Sequence, residues 1–287
     1  MRNKMHDLNG IEIKNRVIIG SGPAKYGRGY EVYENPISYL LFKFGFINPG
    51  EYGGVDTKTL TMLRNIGNYR WYTPWKVLRK VPGGWINRFG WNNCGISTFV
   101  EKEFHRYKHD NLIPSIGAFE SPTELLYMIE CLNFLNILAI EMNISCPHVD
   151  ILFRDDFKKL ESFLHDARKL SRHSLILKLG ADETTVVKAK MAQECGINAI
   201  SAINTVPVYV PGFGYAGKSG PQIKPIALET VFKIASEVSI PVIGGGGIQS
   251  ISDAREFLDA GAQAVSVVTL FFNPLKAIKF PRQIREL

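Results

Sequence analysis

The feature that most constrains this chain is a repeated unit. Short runs rich in β-branched residues each end in a polar or glycine-bearing tip. The run at 16–19 ends at Gly20-Ser21-Gly22, that at 54–56 leads to Thr57-Lys58-Thr59, and that at 112–116 ends at Gly117. The run at 137–142 ends at Asn143, that at 175–177 at Lys178, and that at 199–203 at Asn204-Thr205. The last two, 241–243 and 264–268, end at Gly244-Gly245-Gly246-Gly247 and at Thr269. Between most of them lie stretches with apolar residues at helical spacing: 97–109, 122–134, 154–171, 183–195, 224–237 and 252–260. Strand and helix in alternation predict parallel strands joined by right-handed crossovers. Eight such units in 287 residues, 45% of them hydrophobic, predict one closed (β/α)8 barrel spanning 1–287, with an open doubly wound sheet as the alternative.

Helix starts are expected at Ser121-Pro122, at Asp182-Glu183 and at Ser252-Asp253, where capping or acidic residues favour the first turn. Residues 22–52 and 61–96 read as irregular. The second region holds Trp71, Trp75, Trp85 and Trp91 and is expected to form a hairpin or lid over the barrel mouth, with most of the tryptophans packing it.

Other classes recede. No apolar run is long enough to cross a bilayer, and Tyr39-Leu40-Leu41-Phe42 is broken by Lys43. Met1-Arg2-Asn3-Lys4 leads into polar residues rather than a signal-peptide core, so a soluble, cytoplasmic protein is expected. Cys94, Cys131, Cys146 and Cys195 show neither Cys-x-x-Cys pairing nor metal-like spacing, which predicts reduced thiols and no metal. The net charge of +7 is dispersed, which suits a solvated surface rather than nucleic acid or membrane and leaves room for an anionic ligand.

In a barrel the chemistry sits at the C-terminal ends of the strands. Those ends carry Ser21, Lys58, Asn143, Cys146, Lys178, Asn204, Thr205, the glycine cluster and Thr269. Two lysines would converge on one mouth, and two asparagines could hold a planar, amide-like ligand by donor and acceptor together. Asn143-Ile144-Ser145-Cys146-Pro147-His148 sets an amide, a hydroxyl and a thiol at one strand tip, so Cys146 could exchange a proton. Its plain alternative is an inert turn cysteine. Gly244 to Gly247 before a helix start near Ser250 suits a phosphate, or else a simple turn. Residues 212–219 fit the spacing Gly-x-x-x-x-Gly-Lys-Ser, but Pro211 and Pro221 flank them, which disfavours a strand-to-helix phosphate loop.

These residues resemble the dihydroorotate dehydrogenases, FMN-dependent (β/α)8 enzymes, over nearly the whole chain. The resemblance rests on 15–22, Tyr26-Gly27-Arg28, Thr57-Lys58-Thr59-Leu60-Thr61 and Asn87-Arg88-Phe89-Gly90 with Asn93. It continues through Asn143-Ile144-Ser145-Cys146-Pro147, Lys178-Leu179, Asn204-Thr205, the segment from Ser219-Gly220-Pro221 to Leu228, and Gly246-Gly247-Ile248. Cys146 is similar to the soluble, cysteine-base class. Tyr26-Gly27-Arg28 leans towards the subtype paired with an FAD and iron–sulfur subunit, whereas Asn87-Arg88 is similar to the membrane-associated class.

The resemblance implies oxidation of dihydroorotate to orotate, in pyrimidine biosynthesis, by hydride transfer to FMN, with Cys146 as general base. It implies Lys178 beside the flavin, Lys58 between flavin and substrate carboxylate, and Asn87, Asn143, His148 and Asn204 around the pyrimidine ring. Asn143 would also touch FMN, together with Ser21, Gly22, Lys58, Thr59, Thr205, Gly220, Gly246, Gly247 and Thr269. A homodimer is implied as well. His148 stands where the family usually has asparagine, and 149–154 replaces a glycine-rich loop. Val268 replaces a glycine, Trp91 a smaller apolar residue and Cys94 a proline, the last read as packing. The flavin half thus matches better than the substrate half. Alternatives are a related FMN enzyme acting on another cyclic or unsaturated compound, a non-redox barrel using a lysine as a Schiff-base amine, and a non-catalytic flavin- or phosphate-binding subunit.

Overall fold

Alternation of side chains along each strand builds the barrel. The computed structural model describes residues 5–24, 26, 36–68, 74–107, 110–145, 153, 156–284 and 287. The strands are β1 (His6–Asp7), β2 (Glu12–Ile13), β3 (Val17–Ile19), β4 (Gly54–Asp56), β5 (Leu78–Val81), β6 (Gly84–Asn87), β7 (Leu112–Ile113) and β8 (Ser115–Ile116). They continue with β9 (Ile140–Asn143), β10 (Leu175–Leu179), β11 (Ala199–Ala202), β12 (Val206–Val210), β13 (Gly214–Ser219), β14 (Val242–Gly245) and β15 (Ala264–Val267). The main sheet runs β7-β4-β3-β15-β14-β11-β10-β9-β8 with parallel neighbours. Its two ends, β7 and β8, are halves of one segment interrupted at Pro114, which has no amide to give the ladder. The circle therefore closes through 112–116, and the eight expected strands form the barrel wall.

Facing and register sort the interior into layers of four side chains drawn from alternate strands, as closed barrels require. Ile18, Ile113, Ile176 and Ile243 make one layer, and Ala139, Ala199 and Ala264 lie beneath it. The β1–β2 hairpin plugs the bottom with Leu8, Ile11 and Ile13. Truncating one of these isoleucines to alanine would cost about 2–5 kcal/mol, because the closed wall cannot collapse into the gap. Above the isoleucines the interior turns polar: Asp56, Glu141, Ser201 and Ser266 share the next layer. Gly20, Ser115, Lys178 and Gly245 share the one after.

The helices cover the outside: α1 (Pro36–Lys43), α2 (Pro122–Leu132), α3 (Phe157–Leu170), α4 (Thr185–Glu194), α5 (Lys224–Ala235), α6 (Ile251–Asp259) and α7 (Pro274–Gln283). Helix α2 buries Leu125, Met128, Ile129 and Leu132, and α3 buries Leu160, Phe163, Leu164 and Ala167, both the i, i+3, i+4, i+7 stripe of a core-facing helix. Ser121 caps α2 as expected, its Oγ accepting from the Thr123 amide. Ser250 caps α6, so that helix begins earlier than Ser252. Asp182 lies before α4 rather than in its first turn and accepts from the Thr184 amide at 2.8 Å. Helix α1 corrects the reading of 22–52 as wholly irregular.

A second, four-stranded antiparallel sheet of order β12-β13-β6-β5 stands over the mouth. The β5–β6 hairpin is the lid expected within 61–96. The β12–β13 hairpin was hidden in the stretch that fits a phosphate-loop spacing: 212–219 forms a turn and strand, not a strand-to-helix loop. Trp85 packs edge-on against Phe272, whereas Trp75 is exposed. Trp71 lies outside the described residues. Among the described residues no helix is long and apolar enough to cross a membrane.

Candidate active site

The strand ends and the lid enclose one cavity of about 1030 Å³. Its floor is charged. Lys178 Nζ donates to Glu141 Oε1 at 3.1 Å, both side chains being buried. Burial alone pushes the Lys178 ammonium down, but neighbouring carboxylates, Glu141 foremost, outweigh it and the net direction is up. Lys58, 9% exposed, holds its Nζ 5.4 Å from the centre of the Phe89 ring. Both lysines thus reach the same cavity from β10 and from the segment after β4.

A chain of polar side chains crosses the strand tips. Thr59 Oγ1 lies 3.2 Å from Ser115 Oγ, and Asn143 Nδ2 donates to Thr59 Oγ1 at 2.9 Å. Ser145 Oγ donates to Asn143 Oδ1 at 2.6 Å and accepts from Asn204 Nδ2 at 2.8 Å. The Thr205 amide in turn donates to Asn204 Oδ1 at 2.8 Å. An amide group has two N–H donors and two acceptor sites, so Asn204 keeps one of each for a ligand and Asn143 keeps an N–H. Asn87 Nδ2 donates to Gly217 O at 3.3 Å, tying the two lid hairpins above this row.

At the other end, Gly220, Gly246, Gly247 and Thr269 line the cavity, with Ser21 nearby. Gly246 and Gly247 sit at φ +128° and +93°. A Cβ on Gly247 would stand 2.8 Å from Gly220 O, and one on Gly246 would stand 2.7 Å from Ala227 Cβ. The turn therefore requires glycine for backbone conformation and for space together. Lys224 braces it, pairing with Asp253 at 2.5 Å and Glu256 at 2.8 Å, while Asp253 Oδ2 accepts from the Gln249 amide. Thr269 opens a short 3-10 turn, and its Oγ1 accepts from Gln249 Nε2 at 2.9 Å. Val268, the substitution for glycine, leaves this turn intact and adds a side chain to the lining. Gly22, next in the chain after the lining residue Ser21, sits at φ +129° and is not itself part of the lining.

Also lining the cavity, Trp91 adopts φ +51°, and its ring lies 5.2 Å from that of Phe119, tilted at 45°. Its ring covers Gly117, where a Cβ would meet it at 2.6 Å. Arg88 turns to the β12–β13 hairpin, donating to Phe213 O. Cys94 packs as expected. It is buried, and burial first, then Glu103, pushes its thiol up to about 12. Asn93 staples this loop: its Oδ1 accepts from the Gly95 and Thr61 amides at 2.8 and 3.2 Å, and its Nδ2 donates to Trp91 O at 2.8 Å. Replacing Asn93 by alanine strands those buried groups and is expected to cost about 2–4 kcal/mol, read as a lower midpoint in urea unfolding.

The structure therefore brings Ser21, Lys58, Thr59, Asn87, Asn143, Lys178, Asn204, Thr205 and the glycine turn to one cavity. Cys146 and His148, with the loop after them apart from Phe153, lie outside the described residues, as do Gly27 and Arg28. Sequence reasoning did not single out Asp56, Glu141 or the bridging role of Ser145. A period-2 count could have found the first two, since Asp56 and Glu141 stand two residues before Lys58 and Asn143 on the same strand faces.

Against known proteins, residues 6–286 match the family model described as dihydroorotate dehydrogenase. The chain belongs to the dihydroorotate dehydrogenase family. A Thermoanaerobacter sp. (strain X514) relative, named dihydroorotate dehydrogenase B (NAD(+)), catalytic subunit, is 34% identical over 98% of this chain and 92% of its own. The protein of the same name from Petrotoga mobilis is 35% identical over 93% of this chain and 88% of its own. These names are those of the subtype towards which Tyr26-Gly27-Arg28 leaned. The crystal structure of the Eimeria tenella dihydroorotate dehydrogenase in complex with ferulenol superposes with a TM-score of 0.74 at 17% identity, covering 99% of this chain and 84% of that one, which supports the barrel fold.

Proposed function

We propose that this chain oxidises dihydroorotate to orotate, a CH–CH dehydrogenation, with FMN as its cofactor. The observation that carries the reading is the joint lining of one cavity by a glycine turn that only glycines can form, two buried lysines and an asparagine–serine row. The turn suits the phosphate end of FMN: its amides approach closely because no Cβ intervenes, and Thr269 starts a helical turn beside it. The ring end would lie over Lys178, whose charge favours an anionic reduced flavin. When bound, FMN supplies the hydride acceptor.

The chain's own residues do the rest. Lys58 meets the substrate carboxylate, and Asn87, Asn143 and Asn204 orient the ring through the hydrogen-bonding capacity they retain. Cys146 removes a proton from the carbon next to the carbonyl as hydride leaves the neighbouring carbon. The lid hairpins stand over the mouth of the cavity and narrow the access of water to it. The “catalytic subunit” in the relatives' names supports a separate electron-accepting subunit, and we read FAD and an iron–sulfur centre there, serving a cytoplasmic homodimer of this chain.

Anaerobic addition of dihydroorotate to the purified, FMN-loaded protein is expected to bleach the flavin band. A band that stays moves the substrate assignment to another cyclic or unsaturated compound. A protein that takes up no FMN overturns the cofactor. Gly247→Ala is expected to weaken FMN binding by about 10²-fold or more, since strain and the contact with Gly220 both deform the turn. Equilibrium dialysis of FMN against the variant measures it.

A further inference from the structure

Beneath the cavity floor, around Lys178, lie two carboxyl groups that the proposed reaction does not use. Asp56 and Glu141 belong to one closed layer of the barrel, and Lys178 to the layer above. They are 4%, 2% and 8% exposed. Two carboxyl groups thus share a single buried ammonium. Glu141 takes the direct contact at 3.1 Å. Asp56, at the end of β4, faces Glu141 from β9, Lys178 from β10 and the Ser21 amide from the tip of β3. Burial pushes the Asp56 carboxyl well above the ordinary carboxylate range. The charge of Glu141 adds to the rise, and Lys178 and the Ser21 amide offset it only in part.

We propose that Asp56 is a positioning residue: from the layer it shares with Glu141 it completes the polar surround of the Glu141–Lys178 pair and fixes the ammonium at the cavity floor without adding a second negative charge beside it. Were Asp56 ionised, the cluster would carry a net negative charge directly under the site, opposing the negative charge that reduction creates. Were it apolar, the layer would lose a polar side chain facing the ion pair, and the pair would be free to shift. The consequence for flavin rests on the FMN reading above. The protonation state of Asp56 does not.

Two measurements test this. The first needs no flavin. A carboxyl whose folded pKa exceeds its unfolded value stabilises the fold below about pH 4, and that contribution is lost as pH rises through the folded pKa. Asp56→Asn carries no such dependence, so its melting temperature should pull ahead of the wild type as pH rises from about 4 to 8. A gap that does not change with pH overturns the neutral acid.

The second measurement uses the FMN-loaded protein and the affinity for sulfite, whose addition to flavin reports nearby positive charge. Asp56→Asn should stay within about twofold of wild type, and Asp56→Val should weaken sulfite binding about fivefold or more. Asp56→Ala serves if the valine variant does not fold. Tightening of about tenfold in Asp56→Asn would show an ionised Asp56, and an unchanged apolar variant would remove the positioning role. A wild type that takes up no FMN defeats the flavin reading, while the melting series still decides the state of Asp56.

Discussion

Cys146→Ala is expected to lower the rate of flavin reduction by dihydroorotate by about 10³-fold while leaving FMN bound. The argument begins at the strand end that precedes it. Asn143 and Asn204 hold Ser145 from both sides, at 2.6 and 2.8 Å, so the chain enters position 146 from a fixed point on the cavity wall. A thiol there has an ordinary pKa of about 8.5, close enough to neutrality to serve as a base once a cationic site favours the thiolate. Alanine removes the proposed base and leaves every residue proposed to hold FMN in place. Cys146→Ser is the sharper comparison: its hydroxyl does not ionise in the accessible range, so the rise of rate with pH that the thiol produces should flatten. Stopped-flow bleaching across pH 6–9 measures both variants. An unchanged rate in the alanine variant removes Cys146 from the mechanism.

The barrel was legible because its signal is periodic. Each wall strand alternates, and its outward side chains pack on helices whose stripes repeat at helical spacing, so order of elements and pairing of neighbours followed from the sequence. The polar strand tips were legible for the same reason, since the end of a parallel strand is where a barrel keeps its chemistry. Lys58, Asn143, Lys178 and Asn204 are far apart in the chain and meet in space because their strands all point one way.

What stayed hidden has no local period. The β12–β13 hairpin contains Pro207 and Gly217 and was read through its resemblance to a phosphate loop; it becomes a strand pair because β6 offers an edge to β13. Helix α1 has a start signal in its sequence, Asn35-Pro36, of the kind that marked α2, but it runs for only 8 residues inside a long irregular stretch. Asp56 and Glu141 sit inside apolar runs, where an acid looks like an interruption, and only the layer arithmetic of the closed barrel shows that both lie under Lys178. Lys224 was visible as part of a motif, but its work, bracing the glycine turn through Asp253 and Glu256, depends on a partner helix nearly thirty residues away.

Lys178→Met is expected to lose on two separate counts. Removing the ammonium leaves Glu141, 2% exposed, as a buried carboxylate without the partner it has at 3.1 Å, which costs about 3–5 kcal/mol. The raised pKa of Lys178 means that its contribution is fully present below the unfolded lysine value of about 10.4 and is lost only as pH rises through the folded value, so an unfolding experiment at pH 7 sees the whole effect. The same change removes the cation from under the proposed flavin and should slow its reduction by about 10²–10³-fold. Pairing Lys178→Met with Glu141→Gln separates the two. The double variant no longer buries an unmatched charge, so its urea midpoint should recover most of the loss, whereas the slow reduction should remain. Recovery of both would make Lys178 a structural partner of Glu141 and nothing more; recovery of stability alone assigns its charge to the reaction.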